Sequence, residues 1–259
     1  MLVQVSRVSP ASATIVLLLL ASSAAAAAPG VPLPRSRPAE APAAPSAEAP
    51  PPPSDCRLRL TSALAIAPSL PAALGAGECS VEDGVRLEAI VLPDKTRVAV
   101  TPPAIMRCTF AETIVQWVRA DLAPAVRTLG APLASIDNYA AYDCRGRNNV
   151  AGARLSEHGK ANALDVRSLK LADGTVLGLT DPHAAKELRA GLRQKTCARF
   201  MTVLGPGSDG YHEDHVHVDL AERPGGYRMC QWEVREPGEE LAAGSVPLPR
   251  PRPVTAVTH

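Results

Sequence analysis

The sequence predicts an α+β fold, a small antiparallel sheet with flanking helices. Three observations point there. Apolar residues Ala111, Ile114, Val115, Val118, Leu122, Ala125 and Val126 recur at three-and-four spacing, the mark of an amphipathic helix. Several short runs alternate apolar and polar residues, as half-buried strands do. Helices and strands follow one another without regular β-α alternation, which argues against a parallel, doubly wound sheet.

Taken in order, a short helix is expected near Arg57 to Ile66. Val85, Leu87, Ala89 and Val91 alternate, and Pro93-Asp94-Lys95-Thr96 forms a turn before Val98 and Val100. The long helix should span Ala104 to Leu129, led in by Pro102-Pro103 and stopped at Gly130. Pro124 should kink it or end it early. Ile136 to Tyr142 and Leu164 to Leu169 read as strands, with a turn at Asp173-Gly174. Asp181-Pro182 is a capping residue followed by a first-turn proline, so a second helix should begin there and run to about Arg199. Phe200 to Leu204 and His215 to Leu220 complete the strands. Trp117 and Trp232 are expected in the core.

Only part of the 259 residues can build that fold. An Ala/Leu-rich run from about Ala11 to Ala28 follows Arg7, so residues 1–28 read as a signal peptide. Its cleavage would leave no stable membrane insertion. Residues 29–53 are nearly all Pro and Ala and read as an extended linker; residues 236–259 read as a similar Pro-rich, disordered tail. The folded domain is therefore 54–235. It holds all six cysteines, Cys56, Cys79, Cys108, Cys144, Cys197 and Cys230. In an exported chain these imply disulfides, with fifteen pairings open. Loop-closure entropy favours sequence neighbours, Cys56 with Cys79, Cys108 with Cys144, and Cys197 with Cys230. A net charge of +1 gives no footprint for nucleic acid, and aromatics at 3% give no stacking platform for bases. The expected location is the cell envelope, periplasmic or secreted.

Two segments carry the chemistry. Ser156-Glu157-His158-Gly159-Lys160-Ala161-Asn162-Ala163-Leu164-Asp165 and His212-Glu213-Asp214-His215-Val216-His217-Val218-Asp219 together hold four of the six histidines. On a strand, residues two apart share a face, so His215, His217 and Asp219 should point one way. If that strand neighbours the one bearing Asp165, then His158, Asp165 and His217 converge as ligands on adjacent strands. Two imidazoles and a carboxylate are ordinary zinc ligands, and three of them leave a fourth position open. Against this, a lone His-x-His is common on surfaces. It is the co-occurrence of both motifs that argues for metal. His183 reads as solvated, as do Glu157 and Lys160. In Tyr139-Ala140-Ala141-Tyr142-Asp143-Cys144-Arg145 the tyrosines read as packing residues, and Arg145 reads either as a surface residue or, by its fork geometry, as a binder of a substrate carboxylate.

These phrases resemble those of zinc peptidases of bacterial peptidoglycan, the group of D-Ala-D-Ala carboxypeptidases, murein endopeptidases, lysostaphin-type enzymes and the Hedgehog domain. From about Cys56 to Ala221 the chain is more closely similar to the bacterial extensin-like C-terminal domain family. The phrases that carry it include Pro102-Pro103-Ala104-Ile105, Tyr142-x-Cys144-Arg145, Arg154-Leu155-Ser156-Glu157-His158, Asn162-Ala163-Leu164-Asp165-Val166 and His212-x-Asp214-His215-x-His217-x-Asp219. The resemblance implies zinc held by His158, Asp165 and His217, with His212, Arg145 and Ser156 on the substrate side. It places Asp214 as general base, whereas strand periodicity favours His215, and both stay open. The implied activity is hydrolysis of amide bonds in peptidoglycan stem peptides, by a D,D-endopeptidase. A carboxypeptidase would use Arg145 to clamp a terminal carboxylate. The competing readings are a non-catalytic, zinc-stabilised wall-binding module and a structural wall protein.

Overall fold

The computed structural model describes residues 52–71 and 74–238. The signal-peptide reading, nearly all of the linker and most of the tail lie outside the described residues. Among those described, nine strands form one mixed sheet. They are β1 (Ala65–Ile66), β2 (Gly84–Val91), β3 (Arg97–Arg107), β4 (Leu133–Ala140), β5 (Ala163–Leu171), β6 (Val176–Gly178), β7 (Thr202–Leu204), β8 (Val216–Asp219) and β9 (Met229–Gln231). Their order is β1-β2-β3-β4-β5-β8-β7-β9, with β6 on the far half of β5. The expectation of a small antiparallel sheet is corrected. Two pairs, β3–β4 and β7–β9, run parallel. Parallel neighbours need a crossover, and the helical segment after β3 supplies one.

That segment starts later than the spacing suggested. Ala104–Arg107 belong to β3, because Ala104 and Met106 are buried opposite Leu87 and Val85. Alanine and methionine two apart satisfy a strand face as well as a helix face. Pro102-Pro103 sit inside β3, where the ladder to β2 skips a register. Helix α2 (Cys108–Trp117) passes into a π-type turn at Val118–Leu122, then α3 (Ala123–Val126) and a 3₁₀ turn at Arg127–Leu129. The wide turn moves aside the carbonyls that the Pro124 ring would strike, so the proline is absorbed rather than ending the helix. Gly130 closes it as expected, with φ at 97°. The short first helix, α1, covers Asp55–Arg59, with Ser54 accepting the N–H of Arg57. Ala65–Ile66, expected within that helix, pair instead with β2. Helix α4 (Lys186–Arg199) begins after a turn in which Asp181 accepts the N–H of His183.

One core lies between the sheet and the helices. Trp117 and Trp232 are both buried in it. Trp117 meets Phe200 edge-on at 5.3 Å, and its Nε1–H donates to Thr196 Oγ1 at 3.1 Å. Trp117→Ala removes the ring and the N–H that Thr196 Oγ1 accepts, while that hydroxyl keeps its own bond to the Leu192 carbonyl. The substitution should cost about 3–5 kcal/mol, read as a lower denaturant midpoint with unchanged slope.

Three disulfides brace the domain, and two of the expected pairings are wrong. Cys56 bonds Cys108, Cys79 bonds Cys144, and Cys197 bonds Cys230 as expected. Doubling a loop adds only about 0.6 kcal/mol of closure entropy, so the folded chain decides. Cys56 on α1 lies 6.0 Å (Cα–Cα) from Cys108 at the start of α2. Cys79 lies 5.6 Å from Cys144. Three such bonds indicate an oxidising compartment outside the cytoplasm. Among the described residues no helix is long and apolar enough to cross a membrane.

Candidate metal centre

The centre of the sheet brings the two motifs together. β5 and β8 pair antiparallel with Asp165 directly opposite His217. Alternation then sets His215, His217 and Asp219 on one face, as expected. His158 arrives from the 3₁₀ turn His158–Lys160 just before β5. Gly159 in that turn lets the Leu155 side chain close over it; a Cβ there would lie 2.6 Å from a Leu155 methyl and push that side chain aside. Ser156 Oγ accepts the N–H of His158. Glu157, expected to be solvated, is buried. Its carboxylate takes bonds from Lys160 at 2.7 Å and Asn162 at 2.6 Å, beside Arg107. A loop offers no periodicity from which burial can be read.

Three ligand atoms converge. His158 Nε2 lies 3.1 Å from His217 Nδ1 and 3.2 Å from Asp165 Oδ1, and His217 Nδ1 lies 2.8 Å from the same oxygen. Ligands at 2.0–2.2 Å from a tetrahedral ion stand roughly 3.3–3.6 Å apart, so the metal-free triangle is slightly contracted and close to the size an ion needs. The lone pairs are aimed as well. His158 Nδ1–H donates to the Ala141 carbonyl at 2.6 Å, which leaves Nε2 bare. His217 Nε2–H donates to Asp219 at 3.1 Å, which directs Nδ1 inward. Such outer partners orient metal-binding imidazoles.

The charges agree. Burial pushes the Asp165 carboxyl up, but in the metal-free site a second proton on His158 or His217, standing where the ion would sit, donates to Asp165, outweighs burial and holds it well below the usual range. Burial pushes the His217 imidazole down, yet its bonds to Asp165 and Asp219 win and raise it to about 9. Asp219 is likewise held low by His217 against the push of burial. Two buried carboxylates around one imidazole make a pocket that attracts positive charge, and the donor set fits a zinc-sized ion. Cys56, Asp83 and Cys108 also lie close together, but both sulfurs are spent on the disulfide.

The triad opens on a cleft of about 620 Å³. Arg145, Ser156, His212 and His215 line it, as does Tyr139. Asp214 sits behind His215 with 63% of its side chain exposed, and its Oδ1 accepts His215 Nδ1–H at 2.7 Å. His215 Nε2 is 3.6 Å from Asp165 Oδ2. Of the two candidate bases, then, His215 faces the triad and Asp214 backs it. Arg145 is paired with Asp143 at 3.0 Å, both at the cleft wall. His212 donates Nδ1–H to Asp209 at 2.7 Å, and that bond draws the half-buried Asp209 down to about 2 against the push of burial. Asp209 was not foreseen; only its distance of three residues from His212 hinted at it. Tyr142 packs as expected, its hydroxyl on the Cys79 carbonyl, and His183 is exposed.

The family described as Extensin-like protein C-terminus matches residues 54–231. No curated protein and no solved structure matches the chain. That family match spans the sheet, the three disulfides and every residue of the triad and cleft described above, so the chain belongs to the extensin-like C-terminal family.

Proposed function

We propose that this chain is an exported zinc metallopeptidase that hydrolyses amide bonds in peptidoglycan stem peptides. The observation that carries the reading is the triangle of His158 Nε2, Asp165 Oδ1 and His217 Nδ1 beside an open cleft, with each imidazole aimed at it by an outer hydrogen bond. Zinc bound there supplies Lewis acidity to polarise a carbonyl and to acidify water. His215 is the general base: its Nε2 faces the triad, and Asp214 holds the proton on Nδ1. After taking a proton from water it can pass it to the leaving amine. His212, fixed by Asp209, stands beside His215 and His217, its ring centroid 5.1 and 5.5 Å from theirs, where it can meet charge developing on the carbonyl oxygen.

A D,D-endopeptidase acting on the cross-link between stem peptides is the leading form of this reading. Arg145 at the cleft wall favours a second form, a carboxypeptidase that clamps a terminal carboxylate, once the bond to Asp143 is exchanged. Digestion of purified muropeptides with the zinc-loaded protein, followed by mass analysis, separates them. Cross-linked dimers falling to monomers supports the endopeptidase. Loss of one terminal alanine from monomers supports the carboxypeptidase. Either activity should vanish with chelator. No product from any muropeptide would overturn the enzymatic reading in favour of a zinc-stabilised binding module.

A further inference from the structure

We propose that Tyr139 and Arg167 are positioning residues, which with Asp214 form a clamp that fixes the ring plane of His215. The inference rests on the reading of His215 as base and extends it to two residues outside both sequence motifs.

Four contacts close a ring. His215 Nδ1–H donates to Asp214 Oδ1 at 2.7 Å. Arg167 Nη2 lies 3.9 Å from Asp214 Oδ2. The Arg167 guanidinium sits over the Tyr139 ring, 4.1 Å from its centroid. The Tyr139 ring packs on the His215 ring, centroid to centroid 4.7 Å. Each member therefore touches two others, and the path returns to the imidazole.

The members come from three neighbouring strands. Tyr139 is on β4, Arg167 on β5, and Asp214 and His215 lead into β8. A break in register brings Tyr139 to its place. Asn138 pairs Val166 and Ala140 pairs Asp165, so β4 advances two residues against one of β5. Such a bulge re-aims a side chain that regular pleating would place elsewhere.

Asp214 needs the help. Its side chain is mostly exposed, and its carboxyl is held low first by the bond to His215 and further by the charge of Arg167. Left alone, an exposed carboxylate gives a hydrogen-bond partner but little fixed direction. Arg167 sets its positive charge near the outer oxygen and itself lies over the Tyr139 ring, a contact with an aromatic face that guanidinium favours over ammonium. Tyr139 then walls one side of the imidazole. Together they supply what a single hydrogen bond does not, a fixed ring plane with Nε2 toward Asp165.

The test uses the full chain loaded with zinc, in Tyr139→Leu, Arg167→Met and Arg167→Lys forms, on the muropeptide that the wild type cleaves. Zinc content, kcat and KM are measured, together with the ¹⁵N ring signals of His215, assigned with His215→Gln. In Tyr139→Leu and Arg167→Met, kcat should fall roughly 10–100-fold, as for other outer-shell partners. KM should stay within about twofold and zinc at one per chain, while the His215 signals move away from a pure Nδ1–H tautomer. Arg167→Lys should recover part of the loss by restoring the charge beside Asp214. Unchanged kcat and unchanged ring signals in both variants would overturn the clamp. If the wild type cleaves no muropeptide, the catalytic reading fails, and the ring signals alone then decide whether the clamp exists.

Discussion

Asp165→Ala is expected to abolish metal binding, taking zinc from one ion per chain to none by elemental analysis and muropeptide cleavage to background. Asp165 is the member of the triad that both imidazoles address, and it is the one that carries charge into the site. Its removal leaves two buried imidazoles facing each other at 3.1 Å with no carboxylate between them. Losing one partner of a buried charge pair costs about 3–5 kcal/mol, so the metal-free chain should also unfold at lower denaturant. Asp219 still holds the far nitrogen of His217, which places the cost toward the low end. Asp165→Asn keeps the shape and loses the charge; zinc retained in that variant would show that packing, rather than electrostatics, builds the site.

His215→Ala is expected to leave zinc in place and lower kcat by about 10²–10⁴, the range for a positioned general base. The contrast with Asp165→Ala separates holding the metal from using it. Asp214→Ala should sit between, because it removes the partner of His215 Nδ1 and not the imidazole itself. A larger loss in Asp214→Ala than in His215→Ala, with zinc equal, would return the role of base to the carboxylate.

What the sequence disclosed depended on how local the signal was. The pattern His215, His217, Asp219 was legible because pleating fixes alternation within four consecutive steps, and β8 keeps it. His158 and Asp165 were legible because a turn and the strand after it have little freedom in relative placement. The start of α2 was not, because Ala104 and Met106 suit a strand as well as a helix, and prolines most often introduce the latter. Glu157 escaped because its partners Lys160, Asn162 and Arg107 include one from another strand. Tyr139 escaped because a bulge decides which way it faces. Arg167 sits at an exposed position of β5, where alternation predicts only solvent, and its partners come from β4 and from the loop that leads into β8. The two exchanged disulfides fail for the same reason: loop entropy is a weak selector beside contacts made by the sheet.

Those two bonds overlap along the chain, since Cys79 lies between Cys56 and Cys108, and Cys108 between Cys79 and Cys144. A protease that nicks any one peptide bond between Cys56 and Cys144 therefore releases nothing until a reductant arrives. Cys197–Cys230 gives the same insurance further on. The stretch from Cys144 to Cys197 has no such cover, and it carries His158 and Asp165. Their partner His217 lies beyond it, so an ion shared among the three would rivet together both sides of a cut made after Asp165. The part of the domain that sulfur leaves unstitched is the part that the metal would sew.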